Sequence, residues 1–274
     1  MSAGYDIASI ATRLITAYDT AMQIAPITQA EPAFDIPAAY EVLREIENRR
    51  RITQGWQTVG RKIGFTNTTI WARYGVYQPM WAHIWSHSIH YAKDGHATLT
   101  LKPFAQPRIE PEVVFRLRTA LPPTNDPLEI LRCVEWIAPG FEIVQSHFPD
   151  WKFTAPDCTA AFGLHGALIV GNQVPVTDRN RAALAAALPT FPLTLRKSRT
   201  VVDRGVGANV LGSPALALAH LARLLATQPQ FQPLAPGEVI TTGTLTDAWP
   251  IAPGEIWTSD YGALGIGGVT VEFT

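Results

Sequence analysis

Apolar residues recur at helical spacing over the first fifty positions and then give way to short apolar runs, and this change divides the chain. Ile7, Ile10, Leu14 and Ile15 predict a first helix from residue 7 to about 23. Asp35, just ahead of Pro37, offers a cap for a second helix, which Val42, Leu43 and Ile46 carry to about residue 53. Residues 24–32 form a proline-punctuated connection between the two. From Thr58 the apolar runs are separated by Gly, Pro and Asp, and they predict strands at 59–65, 97–101, 109–117, 136–144, 166–170, 193–197, 239–242 and 268–273. Ser213 followed by Pro214 marks a late helix bearing Leu216, Leu218, Leu221, Leu224 and Leu225. A second late helix, alanine-rich, is expected over 178–188. Irregularly spaced strands with few helices between them indicate an α+β fold, with a helical segment 1–57 ahead of a β-rich body 58–274.

Bulk composition narrows the function classes. The chain has 274 residues, 47% hydrophobic and 16% charged, as a well-packed globular protein does. A net charge of −1, with no basic cluster beyond Arg49-Arg50-Arg51, excludes an electrostatic footprint for nucleic acid. That triplet is expected to cap the end of the second helix. Two isolated cysteines, Cys133 and Cys158, an N-terminus without a basic and apolar leader, and no long apolar run all point to a soluble protein of the reduced cytoplasm.

The chemistry concentrates in Pro107-Arg-Ile-Glu-Pro-Glu-Val-Val-Phe115. Residues two apart on a strand share a face, so Glu110 and Glu112 stand side by side among Ile109, Val113, Val114 and Phe115. Two carboxylates there repel and lose hydration, and they need a cation or a shared proton. A hard divalent metal with oxygen ligands is the simplest solution, and Glu142, within a second apolar run, is the third candidate ligand. The competing reading is an exposed edge face, which Pro111 favours because proline removes a ladder donor. Lys62, in Gly60-Arg-Lys-Ile-Gly64, is a lysine inside an apolar strand. It reads either as a snorkelling side chain or as a cation aimed at an anionic pocket, able to transfer protons if desolvation lowers its pKa.

Taken in order, Gly60 to Gly64, Glu110-Pro-Glu112, Glu142-Ile-Val144 with Asp150-Trp-Lys152, Gly205 to Gly212, Gly237 to Gly243 and Gly265 to Phe273 resemble the 2-keto-4-pentenoate hydratase branch of the fumarylacetoacetate hydrolase superfamily, which also holds 4-oxalocrotonate decarboxylase. The resemblance spans nearly the whole chain. It implies a mixed β-roll with an N-terminal helical pair, a homo-oligomer as large as a decamer, and a metal-dependent lyase for 2-oxo or 2-hydroxy-dienoic acids from aromatic catabolism. It assigns Mg²⁺ or Mn²⁺ to Glu110, Glu112 and Glu142 and places Lys62 in the pocket. Within the matching segments Arg61, Lys152, Gly205, Gly207 and Thr242 are the candidates for holding substrate.

Departures from the family pattern bear on the reaction. Met80 stands where the hydratases usually carry an acid, and Ala160, Ala161 and Phe162 replace polar residues suited to orienting water. The histidines are the available substitutes. His83 and His87, four apart, would share a helix face in a lid with Trp81 and Trp85, against the plainer reading of an aromatic loop. His165 lies in the altered segment and ranks with His83 as a candidate base. Hydration is the leading expectation; decarboxylation of an oxalocrotonate-like diacid, C–C hydrolysis of an acylpyruvate, and a silent partner subunit are the alternatives.

Overall fold

A computed structural model describes residues 4–274. The first helix, Ile7–Thr20, starts where Asp6 accepts a hydrogen bond from Ser9 N, and the long one, Ile36–Gln54, starts where Asp35 accepts from Ala38 N. Both end at a left-handed residue, Ala21 and Gly55. Late helices follow at Arg181–Ala187 and Pro214–Ala226, the latter capped by Ser213 as its Ser-Pro start predicts.

The strands in chain order are β1 (Thr58–Gly64), β2 (Met80–Trp85), β3 (Ile89–Tyr91), β4 (His96–Leu99), β5 (Arg108–Leu117), β6 (Val134–Val144) and β7 (His165–Val170). They continue as β8 (Val174–Pro175), β9 (Pro192–Lys197), β10 (Thr200–Val206), β11 (Val239–Thr241), β12 (Trp249–Pro250), β13 (Ile256–Asp260) and β14 (Thr270–Phe273). A large mixed sheet runs β2-β1-β11-β5-β6-β7-β3, and a smaller one runs β10-β9-β13-β14-β4. The sheets share a core in which Ile109, Phe141 and Ile143 meet Leu195, Trp257 and Phe273, and this curled pair is the expected mixed β-roll.

The helical segment is not packed as a separate body. Ile10, Leu14, Val42 and Ile46 share one apolar cluster with Val144, Phe148 and Phe162 of the β-rich part. Arg50, expected to cap a helix end, is instead buried. Its guanidinium makes two hydrogen bonds to Asp19 and stands 4.1 Å over the Trp56 ring, so it ties the two helices together.

Residues 80–85, read as an aromatic loop or a helical lid, form β2, and all six are buried. Tyr40 stacks on Trp81, so helix covers this edge strand, and burial on both faces erases the alternation that identifies strands. β5, by contrast, is central, and Pro111 sits in it without disruption. Strand β11 pairs with β5 only at Val114–Arg116 and β12 only at Arg108 and Ile109, so a loop faces Pro111 and its carbonyl accepts from Leu245 N. The missing N–H falls where no strand asks for it. Among the described residues no helix is long and apolar enough to cross a membrane.

Candidate metal and substrate site

Register brings the three acids together. β5 and β6 pair antiparallel with Glu110 opposite Glu142 and Glu112 opposite Gly140, which sets all three carboxylates on one face. A carboxylate oxygen from each lies within 4.8 Å of the others. Glu112 and Glu142 are fully buried, whereas Glu110 is partly open to a cleft.

The buried acids are half satisfied. Glu112 Oε2 accepts from Gly243 N at 2.7 Å, and Glu142 Oε1 is 2.8 Å from His165 Nδ1. Glu112 Oε1 and Glu142 Oε2 have no hydrogen-bond partner, although Lys62 Nζ stands 3.3 Å from the latter. Two orphaned oxygens beside a third acid suit a hard divalent cation, which would take the lone pairs the protein leaves over. Gly243 is needed for this geometry: its φ is +97°, and a Cβ there would lie 1.8 Å from Thr66 Oγ1.

Electrostatics sort the acids. Burial works against the charge on Glu142, but Lys62 and His165 outweigh it and hold the carboxyl down at about 2. Glu112, buried beside Glu142 and Glu110, is pushed well above the usual carboxylate range. Burial also raises Glu110, to about 7, with Lys62 opposing. For Lys62 burial favours the neutral amine, but Glu142, Glu110 and Glu112 more than offset it and its pKa rises. In the metal-free protein these acids hold Lys62 as an ammonium, and it donates to Gly163 O at 2.9 Å.

A pH dependence follows. With Glu110 at about 7 and Glu112 raised as well, an incoming cation has to displace protons from these acids. Mn²⁺ affinity is expected to fall roughly tenfold per displaced proton and pH unit below about 7, with net proton release on binding. Calorimetry in buffers of different protonation enthalpy reads that release; binding without it would contradict the assignment.

A cleft opens beside the acids. Lys62, Glu110, Asn67 and Thr244 are its polar lining, and Phe65, Trp151, Phe153 and Leu164 supply apolar walls. Two of its borders hold unusual backbone: Asp150 and Trp151 have φ of 57° and 58°, and Phe162, Gly163 and Leu164 have φ of 56°, 59° and 63°. Left-handed non-glycine residues are strained, and here they aim the Gly163 carbonyl at Lys62.

Other expected site residues lie elsewhere. His83 Nε2 is 3.0 Å from Glu47 Oε2, on β2 and outside the cleft lining. Arg61, adjacent to Lys62 on the strand, points to the opposite face and binds Glu238 and the Gln232 carbonyl. The Lys152 side chain is 82% exposed and 3.9 Å from Asp150; its neighbours Trp151 and Phe153 line the cleft instead. Gly205 and Gly207 press against the Leu245 and Leu188 carbonyls, where a Cβ would come within 2.1 and 1.8 Å, so they serve packing and not a substrate carboxylate. Thr242 is buried and donates to Val113 O. Asn67 and Thr244 were not legible beforehand, because nothing in a polar residue beside a glycine distinguishes a cleft wall from a turn.

The fumarylacetoacetate (FAA) hydrolase C-terminal family model matches residues 66–272. A 2-hydroxyhexa-2,4-dienoate hydratase of Comamonas testosteroni is 32% identical over 96% of this chain and 95% of its own length. A 4-oxalocrotonate decarboxylase of a Pseudomonas species is 31% identical over 84% of each. The solved 4-oxalocrotonate decarboxylase of Pseudomonas putida G7, complexed with magnesium and adipate, superposes with a TM-score of 0.85 at 26% identity, covering 98% of this chain and 97% of that one. With a family match over most of its length and relatives above 30% identity end to end, the chain belongs to the fumarylacetoacetate hydrolase family.

Proposed function

We propose that the protein is a divalent-metal-dependent hydro-lyase that adds water to 2-hydroxypenta-2,4-dienoate or a close relative with an uncharged tail. The observation that carries this reading is the cleft itself: among the described residues one cation, Lys62, lines it beside the acids, and the remaining wall is largely apolar. A dienoate has one carboxylate and a hydrocarbon tail, which match these two ends. A diacid would bring a second carboxylate against Phe65, Trp151 and Phe153, where no cation lines the cleft among the described residues. Arg108 stands over the outer side of Trp151 and borders a neighbouring surface cleft. Similarity to a hydratase of a six-carbon dienoate supports the same choice.

Glu110, Glu112 and Glu142 would hold Mg²⁺ or Mn²⁺. When bound, the metal would supply Lewis acidity to the carboxylate and 2-oxo oxygens of the substrate. Hydration requires the dienol to gain a proton at C5, forming the conjugated ketone, and then water at C4 with a proton at C3. Lys62, kept charged by its neighbours, lowers the energy of the enolate shared by both stages. Asn67, whose Oδ1 is held by Thr69, and Thr244 are the neutral polar groups that orient water. Trp151 and Phe153 exclude bulk solvent. A homo-oligomer, which rests on the family resemblance, and a cytoplasmic location, which rests on the two isolated cysteines, are part of the same reading.

With Mn²⁺ present, the five-carbon dienol is expected to be consumed at least about 100-fold faster, as kcat/KM, than an oxalocrotonate-like diacid releases CO₂, the unpaired carboxylate costing about 3 kcal/mol. Faster decarboxylation would overturn the assignment in favour of the decarboxylase branch.

A further inference from the structure

His165 occupies a place that its strand's alternation would deny it. Ile143 pairs with Ala167 but Val144 pairs with His165, so a bulge at Gly166 interrupts the β6–β7 register. Without that extra residue His165 would face away from Glu142; with it, His165 lies opposite Val144, on the face that carries Glu142. Gly166 suits the bulge, since a Cβ there would meet the Ile143 carbonyl at 2.8 Å and the Phe104 ring at 3.0 Å.

Both ring nitrogens are engaged. Nδ1 is 2.8 Å from Glu142 Oε1, and Nε2 is 2.8 Å from Ser88 Oγ. Ser88 is fixed in turn, because its Oγ accepts from Trp85 N at 3.2 Å and lies 3.1 Å from Trp85 O. The carboxylate can only accept, so Nδ1 carries the hydrogen between them. The ring is 1% exposed and does not line the cleft. The geometry therefore sets the ring against Glu142 and not against the cleft, away from the place of the expected base.

We propose that His165 is a positioning residue: anchored by Ser88, it ties down Oε1 of Glu142 so that Oε2 alone is presented to Lys62 and the neighbouring acids. This rests on the reading of Glu110, Glu112 and Glu142 as a metal site. Free to rotate, Glu142 would lose torsional freedom on each binding event; held by a buried histidine, it meets a cation already oriented.

The test is calorimetric titration of Mn²⁺, without substrate, into the native chain, His165→Ala, His165→Asn and Ser88→Ala, with thermal unfolding of each. His165→Ala is expected to weaken Mn²⁺ binding roughly 10- to 100-fold, the range for removing a partner of a metal ligand. Asparagine, which keeps a donor near Nδ1, is expected to recover most of that loss. Ser88→Ala is expected to weaken binding about fivefold, one neutral hydrogen bond's worth, and decides the matter if His165→Ala does not fold. Loss of activity with unchanged Mn²⁺ affinity would overturn the proposal and restore a direct catalytic role. A lower melting temperature with unchanged affinity would overturn it in favour of a purely structural one. Failure of the native chain to bind Mn²⁺ would overturn the metal site itself.

Discussion

A Glu112→Gln variant is expected to lose Mn²⁺ binding and turnover together while folding as well as the native chain. Glutamine has nearly the same shape, and its amide oxygen can still accept from Gly243 N, as Glu112 Oε2 does. Burial, with Glu142 and Glu110 close by, raises the Glu112 pKa, so the charged carboxylate is disfavoured in the metal-free protein. The substitution therefore removes little from the metal-free state, and its unfolding free energy should change by less than about 1 kcal/mol. What disappears is a ligand oxygen, Oε1, that the fold leaves without any other partner. At a Mn²⁺ concentration 100 times the native Kd, the native chain gains about 2.7 kcal/mol of stability and the variant should gain none. Turnover should fall by roughly 10³-fold or more, the loss of some 4 kcal/mol of transition-state stabilisation. A variant that keeps the metal-induced rise in melting temperature would show that Glu112 is no ligand.

Replacing Lys62 by methionine has the opposite profile, costing stability first. Its ammonium is buried, donates to Gly163 O at 2.9 Å and stands 3.3 Å from Glu142 Oε2. Methionine fills the volume but leaves the Glu142 charge with His165 as its remaining partner. Breaking a buried ion pair by removing one member costs about 3–5 kcal/mol, so the metal-free melting temperature should drop by roughly 10 °C. Mn²⁺ should restore much of it, because the ion supplies the positive charge that the lysine gave. Turnover should remain low even when the metal is saturating, since the enolate loses its fixed cation. Unfolding scans with chelator and with excess Mn²⁺ separate the two effects, and an unchanged metal-free melting temperature would contradict the role given to Lys62.

These two variants probe the part of the site that was easiest to see in the sequence. Alternation along an apolar strand puts Glu110 and Glu112 on one face whatever surrounds them, and this follows from strand geometry alone. That Glu142 lies opposite Glu110 is a matter of register across β5 and β6, whose connection includes the Pro127–Arg132 helix, and spacing does not determine it. His83 was misplaced because β2 is buried on both faces and shows no alternation. His165 drew attention as a departure from the family pattern, but its role depends on a one-residue bulge that reverses the facing of a side chain. Lys152 comes from a segment that matches the family, but two left-handed residues, Asp150 and Trp151, set the local path and leave Trp151 and Phe153 on the cleft. Helix starts at Asp35 and Ser213 were legible because caps are local; the polar cleft residues were not, because only the assembled sheet gives them a neighbour.

The most direct test of the account is to incubate the Mn²⁺-loaded protein with 2-hydroxypenta-2,4-dienoate in ¹⁸O-labelled water and examine the product by mass spectrometry, with Glu112→Gln as the blank. The account predicts 4-hydroxy-2-oxopentanoate labelled at the C4 hydroxyl and none from the variant. Dienol that only tautomerises to the conjugated ketone, with no label at C4, would contradict hydration as this protein's reaction.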